Sequence, residues 1–132
     1  QISDDGRAFP NFEGLSQKWS SGAEYVALFP NLLLGVHRDH CYSIILVPDG
    51  PNCTIEHIEI HYAQRVATKS AFADMRATNT SMWRDIFIED VFVVEGMQKG
   101  RHSSKYDGGK FSAVMDAPTH HFHKWVATAL RR

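Results

Sequence analysis

Residues Thr54 to Tyr62 read TIEHIEIHY, and this alternation constrains the fold more than any other feature. Ile55, His57, Glu59 and His61 fall on one side of an extended chain. Glu56, Ile58, Ile60 and Tyr62 fall on the other. A period of two predicts a half-buried β-strand and rules against a helix over the same residues. Three further β-rich runs precede it. EYVALF over Glu24 to Phe29 stops at Pro30, NLLLGVH covers Asn31 to His37, and CYSIILV covers Cys41 to Val47. The last run ends at the turn signal Pro48-Asp49-Gly50-Pro51-Asn52. Such short connections favour antiparallel pairing, because parallel neighbours need a long crossover.

The flanking sequence has a different character. Gln1 to Gly22 is polar, is broken by Gly6, Pro10, Gly14 and Gly22, and reads as loop with a helical turn. Gln64 to Ser81 is polar and mixed, and Asn79-Thr80-Ser81 reads as a helix cap. A long helix is expected from about Met82 to Lys99, then a loop through Gly100, Gly108 and Gly109. A second helix is expected from Ala117 or Pro118 to Leu130, with Pro118 in its first turn. Strands followed by helices predict an α+β domain.

The 132 residues are 43% apolar and 22% charged, enough to build a core. The net charge of -1 argues against a nucleic-acid-wrapping or polybasic membrane protein. No apolar run approaches the roughly 18 residues of a membrane helix. No secretory pattern opens the chain. Cys41 and Cys53 are too few for a disulfide scaffold, so a reducing, cytoplasmic setting is expected.

The long helix holds an anomaly. On a wheel of about 100° per residue, Trp83, Ile86, Phe87, Val93, Val94 and Met97 share the side of Asp90. Asp85, Glu89, Glu95, Gly96 and Lys99 take the other side. Asp90 thus lies within the apolar stripe, where a buried carboxylate must be paired, protonated or metal-bound. A core salt bridge explains such a residue as well as a functional site does. Phe87, Val94 and Gln98, one or two turns away, would wall any pocket around it, with core packing or the edge of the buried surface as the plainer reading.

Eight histidines are many for this length. His57 and His61 share a strand face, roughly 13 Å apart and too distant for one metal. His120 and His123 have helical spacing compatible with two imidazoles on one ion, or with a helix start packed against the sheet. The chain has no HExxH, phosphate-binding glycine loop, dinucleotide fingerprint or GxSxG elbow.

Two stretches carry a resemblance. FPNLLLGVHRDHCYSIILVPDGPNCTIEHIEIHY and WRDIFIEDVFVVEGMQKGRHSSKYDGGKFSAVMDAPTHHFHKW together cover more than half of the chain. They resemble the C-terminal part of the catalytic α subunit of Rieske-type non-haem iron oxygenases, the ring-hydroxylating and amine-demethylating family. The matching features are Glu89-Asp90 inside an apolar helix, Gln98-Lys99-Gly100, Ser103 or Ser104 with Tyr106, Gly108-Gly109, and Phe122-His123-Lys124-Trp125.

The resemblance implies a helix-grip fold, a sheet curved around a long helix. Residues 1–132 would form the C-terminal portion of one catalytic domain. It also implies that Asp90 is the carboxylate of a 2-His-1-carboxylate mononuclear Fe(II) site. The DxxHxxxxH-like segment that carries the family's two histidine ligands is absent here. The CxH and CxxH pairs of a 2Fe–2S Rieske cluster are absent too. The sequence therefore reads as the last part of a longer oxygenase, inactive alone. Such an enzyme would take electrons from NAD(P)H through a separate reductase. It would assemble as a homotrimer and use O2 to hydroxylate, dihydroxylate or demethylate a small organic substrate. No nucleic acid or membrane partner is implied. A metal-free helix-grip carrier of a small ligand is the competing expectation, with Asp90 binding a polar head group or a buried cation.

Overall fold

A computed structural model describes residues 6–131. Four antiparallel strands form a meander in sequence order: β1 (Glu24–Leu28), β2 (Leu32–Val36), β3 (His40–Pro48) and β4 (Thr54–Tyr62). All four expected strands form, within a residue or two of the expected ends. From residue 6 to residue 22 the opening segment is loop with a 3-10 turn at Gln17–Ser20, and residues 1–5 of the expected loop lie outside the described residues.

The connections explain the register. Asn31 clamps the β1–β2 turn onto β3 through both side chain and backbone: its Nδ2 donates to the Leu46 carbonyl at 2.9 Å, and the Leu46 amide donates to the Asn31 carbonyl at 2.9 Å. At the β3–β4 turn, Gly50 takes a positive φ of 81° and the Asp49 amide bonds the Cys53 carbonyl at 2.9 Å. That pairing sets Tyr42 opposite Ile60 and Ile44 opposite Ile58.

A long helix, α1 (Ala73–Arg101), follows two 3-10 turns, Arg65–Thr68 and Ser70–Phe72. It begins about nine residues before the expected start. Asn79 is no cap: it is fully buried in the helix interior, and its Nδ2 donates to the Tyr62 hydroxyl at 3.3 Å. Met75, Asn79 and Trp83 make a buried stripe at intervals of four residues. A polar residue in the middle of that stripe is what disguised it in the sequence. Arg76 secures the first turns, donating to the carbonyls of Ala67 at 2.6 Å and Lys69 at 2.8 Å.

The chain divides into two compact units, one ending at Val91 and one running from Phe92 to Arg132. The first unit has two apolar clusters. Phe9, Ala67 and Met75 form one, with Tyr62 and Phe72 against it. Tyr42, Ile44 and Trp83 form the other, with Leu33, Leu46, Ile60 and Phe87 around them. One face of the sheet thus carries the core, while Ile45, Val47 and Ile55 on the opposite face are exposed.

In the second unit, Gly108 and Gly109 take positive φ values of 93° and 67° in the loop before α2 (Ala117–Ala129). Phe111 packs between His120 and His123, with ring centres 4.9 and 5.1 Å away. These histidines therefore meet an aromatic ring. No helix among the described residues is long and apolar enough to cross a membrane. The α+β class and the antiparallel sheet are as expected; a helix-grip curvature is a finer statement than these elements establish.

Candidate functional site

The densest chemistry of the first unit lies where the β2–β3 turn meets α1. The segment His37-Arg38-Asp39-His40 reverses the chain, closed by the His37 amide donating to the His40 carbonyl at 2.9 Å. Asp39 and His40 are 2% and 4% exposed, so both polar side chains need partners. His40 Nδ1 lies 2.7 Å from Asp39 Oδ1. On its other side, Trp83 Nε1 donates to His40 Nε2 at 2.9 Å. His37 stacks on His40, with ring centres 4.8 Å apart and planes 2° from parallel.

Electrostatics follow from this burial. Burial alone would raise the Asp39 pKa, but the hydrogen bond with His40 leads the effects that overcome it, and Asp39 sits near 2. Burial lowers the pKa of His37, and the neighbouring His40 adds to that. His37 Nε2 is buried and unpartnered among the described residues, which a charged imidazolium would tolerate poorly.

Trp83 carries this network to a groove. It packs on Tyr42 at 4.6 Å and stacks with Phe87 at 5.7 Å and 22°. Between β4 and α1 lies a groove of about 500 Å³ with Ile58, Ile60, Phe87, Ile88 and Val91 as apolar lining and Trp83 and Tyr62 as aromatic lining. Glu56, Thr80, Arg76 and Arg84 add polar groups at the same groove. This size and composition suit one small organic ligand.

The candidates from the sequence distribute unevenly. Phe87 is half-buried, packs against the core cluster and lines the groove. Asp90 lies seven residues beyond Trp83, about 20° from it around the helix, so its angular position on the core stripe holds. Its burial does not: Asp90 is exposed, and no ion pair to it is found among the described residues. The sheet-side packing of α1 is supplied at Trp83 and Phe87, while Ile86 at 40% and Val93 at 54% are exposed. Val94 is 64% exposed and Gln98 half-buried, both in the second unit.

Among the described residues no three His, Cys, Asp or Glu side chains converge as metal ligands. A complete 2-His-1-carboxylate set is therefore not found among the described residues. The sequence placed Trp83 on the apolar stripe of the helix but gave no site role to it, to Asp39 or to His40. A hint was present in two buried-type polar residues at a turn, but the contact with Trp83 spans 43 positions and leaves no periodic trace.

Comparison with known proteins places the chain. The family model described as ring hydroxylating alpha subunit (catalytic domain) matches residues 2–132. The chain is 25% identical over 103 residues to the chloroplastic choline monooxygenase of Arabidopsis thaliana, covering 78% of this chain and 24% of that protein. It is 26% identical over 109 residues to putrescine 2-hydroxylase of Bordetella bronchiseptica, covering 79% of this chain and 25% of that protein. No solved structure matches it. The chain spans about a quarter of the length of the curated relatives it matches. With a match running through nearly every residue, the chain belongs to the ring-hydroxylating α-subunit family, within its catalytic domain.

Proposed function

We propose that this chain is the C-terminal portion of the catalytic domain of a Rieske-type oxygenase. In that reading Asp90 is the single carboxylate it contributes to a mononuclear Fe(II) site. The two histidine ligands and the 2Fe–2S cluster belong to other parts of the protein, and electrons arrive from NAD(P)H through a reductase. When bound, the iron would supply O2 activation. The chain's own part is to bind and orient a small organic substrate in the β4–α1 groove, where Trp83, Tyr62 and Phe87 present ring faces and Ile58, Ile60 and Val91 exclude water.

The observation that carries this reading is the family match over residues 2–132, combined with the place of Asp90 on the Trp83 side of α1. The relatives are named for choline and putrescine, which makes small amines the first substrates to try. The intact protein with its reductase should consume O2 in step with substrate, and removal of iron by a chelator should abolish that consumption. Assembly as a homotrimer is part of the same proposal.

One observation favours a second reading. The groove is largely apolar. A metal-free carrier would use the groove alone. It would bind its ligand equally well after chelation and tolerate Asp90→Asn without loss.

A further inference from the structure

The partners of His40 select one tautomer of its neutral ring. Trp83 Nε1 carries a hydrogen and only donates, so His40 Nε2, 2.9 Å away, must accept. The ring proton then lies on Nδ1 and is donated to Asp39 Oδ1 at 2.7 Å. A second proton on Nε2 would set two N–H groups against each other and break the bond to Trp83. All three side chains are buried, with Trp83 7% exposed, so water does not replace a lost partner cheaply.

This chain of bonds ends on a ligand-facing surface. Trp83 lines the β4–α1 groove and continues into the stacked ring of Phe87. Apolar contacts from Tyr42 hold the indole plane but do not by themselves choose between its two edges. The hydrogen bond to His40 chooses. Asp39 in turn fixes which nitrogen of His40 accepts, much as a carboxylate behind a metal-bound histidine fixes its tautomer.

We propose that Asp39 and His40 are positioning residues that lock Trp83 as a rigid wall of the groove and so set its fit to a small organic ligand. The inference rests on reading the groove as a ligand site. The groups facing the His40 ring are Asp39 and His37 from its own turn, Tyr62 from β4 and Trp83 from α1.

The test uses the 15N-labelled chain and toluene as the probe. Long-range proton–nitrogen spectra should show His40 at neutral pH as the Nδ1–H tautomer. The Trp83 indole proton should exchange slowly and shift when toluene binds. Asp39→Ala and His40→Leu, folded by circular dichroism, should weaken toluene binding about tenfold and speed exchange at Trp83. If these variants fail to fold, the wild-type chain still decides: toluene affinity should fall in step with the protonation of His40 read from its own nitrogen shifts. An Nε2–H tautomer, unchanged affinity in folded variants, or an affinity flat through His40 protonation overturns the proposal. No toluene shift at Trp83 with the expected tautomer in place removes the groove reading, and this claim about ligand fit with it.

Discussion

Gly35 shows how a single residue holds the site in place. A Cβ at this position would lie 2.2 Å from Tyr42 Cζ, because the Tyr42 ring lies across Gly35 on the neighbouring strand. Tyr42 in turn supports Trp83. Gly35→Ala should therefore cost about 1–3 kcal/mol by overpacking, measured as a lower urea midpoint with an unchanged slope. His37 offers a prediction in pH. Its folded pKa is lowered, so the unfolded chain binds the extra proton first as pH falls. Stability should be full above the ordinary histidine value of about 6.5 and decline as pH falls through and below it. Asp39 acts in a separate acidic window, its contribution present above the ordinary carboxylate value and lost as pH falls towards about 2. Urea midpoints between pH 5 and 8 should slope in the wild type and flatten in His37→Gln. At this scale the sequence was half legible. The helical period located Asp90 relative to Trp83, but periodicity reports direction and not what covers a face, so its exposure was not foreseen.

At the scale of elements, the strands were the most readable part. Alternation in β4 and the Pro-Asp-Gly-Pro turn are local signals, and the registers follow from them. The start of α1 was missed because Asn79, a residue favoured at caps, serves there as a buried partner of Tyr62. Its Oδ1 has no partner among the described residues, so the contact is only partly compensated. Asn79→Ala should destabilise the chain by about 1–3 kcal/mol, through a cavity and a stranded Tyr62 hydroxyl. Adding Tyr62→Phe should recover part of that loss, and a double-mutant cycle by chemical denaturation measures the coupling. Additive losses would show that the two side chains stabilise the helix–sheet contact independently.

For the whole molecule, the family was legible through the resemblance carried by Glu89-Asp90, Gln98-Lys99-Gly100 and Phe122-His123-Lys124-Trp125, and the family match runs over residues 2–132. The groove and the Asp39–His40–Trp83 bonds were not legible, since both depend on residues brought together from distant positions. The chain corresponds to about a quarter of its curated relatives, and its described residues hold no complete metal site. In the proposed reading this chain contributes one carboxylate, Asp90, and a ligand groove, with the remaining iron ligands elsewhere in the protein. The most direct test counts iron and acid-labile sulfide in the intact protein, with and without Asp90→Ala. The wild type should hold about three irons per subunit, two in the cluster and one mononuclear. Asp90→Ala should lose the single mononuclear iron and keep the cluster with its sulfide. An Asp90→Ala protein that retains all its iron and its oxygenase activity would contradict the central claim.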